Sequence, residues 1–171
     1  TDPENNPHAM TLFIIERGME GFERGRNLVK MGLKGQDTAE LFFNDVRVPK
    51  ANVLGEPGKG FIYLMEGLAE ERLIGAVSYL SAAQLSWDLT ADYVRSRKAF
   101  GKALSEFQNT QFKLSELRMQ LDIAQCYIDQ CVAAFNGGKL TATDAAKAKL
   151  VSSELQVASA DLGVQLHGGA G

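Results

Sequence analysis

Between Gly67 and Lys102 the apolar residues Leu73, Ala76, Val77, Leu80, Ala83, Trp87, Ala91 and Val94 recur at three- and four-residue steps. That spacing places them on one stripe of a long helix facing a core. Charge marks both ends: Glu70, Glu71 and Arg72 near its start, Arg95, Arg97 and Lys98 near its finish. The helix is predicted to begin near Gly60, to bend at Gly67 or run through it, and to end at Phe100-Gly101, where glycine relieves the last turn. A second helix is predicted from Phe107, Thr110, Leu114, Leu117, Leu121, Ala124, Ile128, Cys131 and Phe135, a heptad seam. Ser105 and Gln108 have capping-box spacing at its start, and Asn136-Gly137-Gly138 stops it. In a third, Thr141 and Asp144 lead into Ala148, Val151, Leu155, Ala158 and Leu162 on one face. It gives way to a glycine-rich loop, Gln165-Leu166-His167-Gly168-Gly169.

Before Gly60 the pattern is that of strands. Residues 1 to 9 are polar and read as a loop. The apolar run Met10 to Glu16 is too short for a helix and suits a buried strand. Arg17 to Arg26, with three glycines among charges, reads as a loop, and Asn27 to Met31 as a second short strand. Ala39 to Phe43 and Val46 to Val48 follow as strands, with Asn44-Asp45 as the turn. So few strands cannot close a sandwich or barrel, so they read as half of a β domain. Ala51 to Lys59, rich in Gly, Pro and Glu, marks the change to helix. The fold class is therefore an α+β fragment: a partial β domain over residues 1–50, then over 51–171 three long helices of an antiparallel four-helix bundle, lacking its last helix.

Composition adds little. A hydrophobic share of 45% with 23% charged residues is ordinary for a soluble globular protein, and a net charge of -3 argues against a nucleic-acid partner. No apolar run reaches bilayer-spanning length, and the first residues lack the basic and apolar regions of a signal peptide, so a soluble, untargeted chain is expected. Cys126 and Cys131, five apart on a helix, diverge and are expected to be reduced thiols.

Candidate chemistry sits at the two ends of the long helix. Glu70-Glu71-Arg72 reads first as solvated surface. One turn beyond Glu71, however, Gly75, Ser78 and Ala82 leave room along the same face for a second helix or an extended ligand. Arg95, Arg97, Lys98 and Lys102 around Phe100-Gly101 suit a helix C-terminus, and equally an anion, because the Arg97 guanidinium could fork onto a phosphate. The glycines after His167 cap a helix or admit a nucleotide. Neither His8 nor His167 has a catalytic partner in the sequence, and no zinc spacing, Walker loop, dinucleotide fingerprint or hydrolase elbow occurs.

Several segments together resemble one family. They are Lys30-Met31-Gly32-Leu33-Lys34 with Asp37-Thr38, Phe43-Asn44-Asp45-Val46-Arg47-Val48-Pro49, Gly58-Lys59-Gly60-Phe61 and Glu71-Arg72. Tyr93-Val94-Arg95-Ser96-Arg97-Lys98-Ala99-Phe100-Gly101-Lys102, Phe107-Gln108 and Gln165-Leu166-His167-Gly168-Gly169 complete the set. In order and spacing they are similar to the acyl-CoA dehydrogenases, flavoproteins that desaturate acyl thioesters between the α and β carbons. The resemblance implies the second half of the family's middle β domain and the first three helices of its C-terminal bundle, a piece inactive by itself. It implies FAD as cofactor, with Arg97 on the flavin pyrophosphate of the partner subunit and Phe100, Gln108, Gln165, Gly168 and Gly169 near its ADP portion.

By the same matching Arg72 contacts the acyl-CoA substrate along its CoA path, and Glu71 occupies the catalytic-base position of the long-chain and isovaleryl branches. Gly75 and Ser78 lean towards a longer acyl chain. The resemblance further implies electron-transferring flavoprotein as acceptor and a homodimer or homotetramer. The compartment would be the cytoplasm of a bacterium or the mitochondrial matrix of a eukaryote. An acyl-CoA oxidase or flavin monooxygenase-like relative on the same scaffold, and a non-catalytic helical interaction module, are the competing readings.

Overall fold

A computed structural model describes Asn6 and residues 8–171. The remainder of the expected loop over residues 1 to 9 lies outside the described residues. The chain divides into two compact units, the first ending at Met65 and the second running from Glu66 to Gly171.

In the first unit, β1 (Leu12–Phe13) pairs antiparallel with β4 (Val53–Leu54), Leu12 opposite Leu54. Strand β2 (Phe22–Asn27) pairs antiparallel with β3 (Ala39–Phe43), and the register shifts between Arg24 and Asn27. The Phe22 and Phe43 rings stack at 5.1 Å across this pair. Expectation and structure agree on Ala39–Phe43 and differ around it. The strand expected over Met10 to Glu16 shortens to two residues. The one expected over Asn27 to Met31 lies earlier, at Phe22–Asn27, inside the stretch read as a loop, and Val46 to Val48 is not a strand.

The glycines account for the misplaced strand. Gly21 has φ 79°, and a Cβ there would fall 2.0 Å from the Asn44 carbonyl oxygen, so this glycine permits close approach at the end of the hairpin. Gly25 lies within the strand, under the Phe42 ring. These are the positions where a strand uses glycine for contact with its neighbour.

In the second unit α1 (Gly60–Ser96, which starts in the first unit), α2 (Gln108–Asn136) and α3 (Ala142–His167) build the bundle. Leu73, Ala76, Leu80 and Ala83 of α1 meet Leu117, Leu121, Ala124, Ile128 and Cys131 of α2 and Ala148 and Leu155 of α3 in one buried core. The Trp87 indole N–H donates to the Leu114 carbonyl at 2.9 Å, and Gln84 donates to Gln125 at 3.0 Å. The chain order of these pairs sets α1 and α2 antiparallel. Helices α1 and α3 approach closely where Gly163 faces Thr90, whose Oγ1 is 3.1 Å from where a Cβ would be. Thr141 caps α3 as expected, its Oγ1 accepting from the Asp144 N–H at 3.0 Å. Cys126 is exposed, Cys131 buried, and both are free.

Three boundaries are corrected. Helix α1 stops at Ser96, before Phe100-Gly101, and β5 (Lys98–Ala99) and β6 (Lys102–Ala103) form a small hairpin there. Ser105 does not cap α2. It lies in a 3₁₀ turn, Leu104–Glu106, whose Glu106 carboxylate accepts from the Ala103 N–H at 2.8 Å. Gln165 to His167 remain helical, and the chain leaves α3 at Gly168, with φ 62°.

Candidate functional site

Helix α1 is apolar on two sides. Opposite its core stripe, Ile74, Leu85 and Leu89 are 59%, 59% and 60% exposed. Helical spacing places Glu71, Gly75, Ser78 and Ala82 on this same outward face. A helix with a second apolar face has a second surface to bury. Glu71 is exposed at the head of the face, while Arg72, about 100° round the helix, is half-buried. Among the described residues a Cβ at Gly67 would meet nothing within 4 Å, so the helix surface is open one turn before Glu71. One turn after it, the room foreseen at Gly75 is covered by the Tyr79 ring. The Ser78 hydroxyl turns back to donate to the Ile74 carbonyl at 3.0 Å. The arrangement offers an exposed carboxylate at one end of an outward apolar helix face.

The second group gathers where α1 and α3 end. The Arg97 N–H donates to the Tyr93 carbonyl at 2.8 Å, and the Arg97 carbonyl accepts from the Leu104 N–H at 2.9 Å, which ties the hairpin to the helix end. Its charged neighbours have other engagements. Arg95 pairs with Asp92 at 2.9 Å, and the Lys102 ammonium stands 4.2 Å from the centre of the Phe107 ring. The Arg97 side chain is exposed and makes no ion pair among the described residues. At the hairpin tip both central residues are left-handed, Phe100 at φ 53° and Gly101 at φ 83°. Gly101 suits such a turn; a phenylalanine there is strained, and Phe100 is also 97% exposed. Gln108, the first residue of α2, is exposed, as are Gln165, Gly168 and Gly169.

His167 is the structural tie that sequence reasoning missed. Its ring stacks on Tyr93 with centroids 4.0 Å apart, its Nδ1 lies 2.8 Å from the Gly163 carbonyl oxygen, and the Tyr93 hydroxyl donates to its carbonyl at 3.4 Å. The signal was the histidine one turn beyond Gly163, read only as part of a loop. These contacts tie the middle of the Gln165 to Gly169 segment to the last turn of α1. Glu71 is excluded from this group, since roughly 37 Å of helix separates it from Ser96. One chain therefore carries two separate groups.

Among the described residues no cluster of His, Cys, Asp and Glu could hold a metal ion, and no helix is long and apolar enough to cross a membrane. A groove between α2 and α3, lined by Ile123, Tyr127, Val151 and Ala158, contains none of the predicted site residues. At its edge Tyr127 donates to Asp144 at 3.3 Å, and its pKa is pushed up to about 12, first by burial and then by Cys131 and Asp144.

The family profile of the acyl-CoA dehydrogenase C-terminal domain matches residues 58–171. The chain belongs to the acyl-CoA dehydrogenase family. It is 46% identical to the mitochondrial long-chain specific acyl-CoA dehydrogenase of Rattus norvegicus over 164 residues, which cover 96% of this chain and 38% of the rat protein. The crystal structure of acyl-CoA dehydrogenase from Geobacillus kaustophilus superposes with a TM-score of 0.96 at 45% identity, over 99% of this chain and 45% of that one. A structure described as the FAD complex of PigA superposes with a TM-score of 0.91 at 25% identity, over 99% of this chain and 44% of that one. The chain thus spans about two fifths of the length of its curated relative.

Proposed function

We propose that this chain is part of an FAD-dependent acyl-CoA dehydrogenase that desaturates an acyl-CoA between its α and β carbons. Residues 1–50 would be the second half of a middle β domain and 51–171 the C-terminal bundle. The observation that carries the reading is Glu71, a carboxylate at the head of the outward apolar face of α1 with open helix surface one turn before it. There Glu71 takes the α proton, and the electron pair of the broken C–H bond begins the new double bond. FAD, when bound, supplies the acceptor for the hydride leaving the β carbon. Arg72 lies along the path of the CoA moiety.

The residues at the far end of α1 fit a dinucleotide. Arg97 offers an uncompensated guanidinium for a pyrophosphate, and Phe100 a strained, exposed ring for stacking. Gln108, Gln165, Gly168 and Gly169 supply polar side chains and accessible backbone for the ADP portion. The length of helix between Glu71 and Arg97 supports a division of labour across a homodimer or homotetramer, Arg97 serving the FAD of a partner subunit. PigA's solved FAD complex, on this same fold, supports the cofactor. Electron-transferring flavoprotein would be the acceptor, in a bacterial cytoplasm or a mitochondrial matrix.

The test is rapid anaerobic mixing of the full-length enzyme with acyl-CoA while flavin bleaching is followed. Glu71→Gln is expected to retain flavin and substrate binding and to slow bleaching by orders of magnitude, while Glu70→Gln has little effect. Bleaching of Glu71→Gln at the wild-type rate would place the base elsewhere.

A further inference from the structure

Glu71 has a glycine one turn to either side on the outward face of α1, and the two glycines differ in what stands over them. Among the described residues nothing lies within 4 Å of a Cβ added at Gly67, whereas one added at Gly75 would touch the Tyr79 ring, with Cε2 at 3.5 Å and Cζ and the hydroxyl oxygen at 3.8 Å. Helical side chains lean towards the N-terminus. Tyr79, one turn beyond Gly75, therefore lays its ring back over that glycine, where no side chain stands in the way. The helix surface is open on one side of the carboxylate and covered on the other.

We propose that Tyr79 is a specificity-determining residue for the desaturation assigned to Glu71: its ring, seated over Gly75, limits the length of the acyl chain. The inference rests on that assignment. With the α carbon at Glu71, the open side towards Gly67 leaves room for the bulky thioester and its carrier. The hydrocarbon tail then runs the other way, beside Ile74 and towards Gly75, which lies about 6 Å further along the axis. A tail of that reach passes freely over a bare glycine. Over this glycine it meets an aromatic ring, so the small residue that suggests a long pocket in the sequence is filled by its neighbour in the fold.

The test uses the full-length enzyme and a series of saturated straight-chain acyl-CoAs of increasing length, with flavin bleaching and kcat/KM as readouts. Tyr79→Ala is expected to move the fall-off in kcat/KM to longer chains, raising the long-to-short ratio by about tenfold or more. Adding Gly75→Leu to Tyr79→Ala refills the gap from the other position and returns the fall-off towards the wild-type length. Should Tyr79→Ala not fold, Tyr79→Leu, which keeps a shorter apolar group over Gly75, shifts the profile in the same direction. A wild-type enzyme bleached by acyl-CoAs, with a length profile that the folded Tyr79 variants leave unmoved, overturns this inference alone. A wild-type enzyme bleached by none of the series overturns the dehydrogenase reading and this inference with it.

Discussion

Tyr93 and His167 lie face to face, with ring planes 20° from parallel and centroids 4.0 Å apart, joining the last turns of two helices from opposite ends of the bundle sequence. The contact fixes where α3 ends relative to the hairpin after α1. Stacked aromatic pairs contribute about 0.5–1.5 kcal/mol beyond the area they bury. His167→Ala is expected to lower the melting temperature and to weaken FAD retention through the displaced Gln165 to Gly169 segment. An unchanged melting temperature would show that the stack is incidental.

Arg97→Ala tests the anion reading separately. A charge-assisted contact from guanidinium to phosphate is worth about 1.5–3 kcal/mol, so the variant should lose flavin on dilution or gel filtration while its apoprotein melts as before. Full flavin content after the same treatment would leave Arg97 as a helix-end cation only.

Tyr127 predicts an alkaline limit. Its folded pKa of about 12 exceeds its ordinary value of 10.0, so the folded state holds the proton more tightly. Its contribution to stability is complete below about pH 10 and is lost as pH rises through 12. Chemical denaturation in that range should show a steeper loss for the wild type than for Tyr127→Phe; parallel curves would contradict the assignment.

Ser159 predicts a gain. It is 1% exposed, and its hydroxyl has no hydrogen-bond partner among the described residues. A buried hydroxyl left unpaired costs about 1–3 kcal/mol, so Ser159→Ala should raise the unfolding free energy by up to about that amount. A loss of stability on substitution would reveal a partner for the hydroxyl.

The helices were legible because each has a long periodic stripe and a recognisable stop. Thr141 and Asp144 announced the start of α3, and Asn136-Gly137-Gly138 the end of α2. The strands were less so, since two-residue pairings such as Leu12–Phe13 with Val53–Leu54 have no periodicity to display. Gly21 and Gly25 looked like loop residues because the sequence cannot distinguish glycine used for turning from glycine used for close approach. Motif order brought Glu71 and Arg97 forward. The Tyr93–His167 stack and the ring over Gly75 stayed hidden, because both depend on side-chain direction in the packed bundle.

The hairpin of Lys98–Ala99 and Lys102–Ala103 is too short to hold itself together in water, and its tip carries a left-handed phenylalanine. It should therefore open locally far more often than the bundle unfolds. The Leu104 amide, bonded to the Arg97 carbonyl where the hairpin returns to the helix end, is placed to report each opening through its exchange with solvent deuterium. Slower exchange at that one amide would register occupancy of the neighbouring surface without any change in colour or turnover.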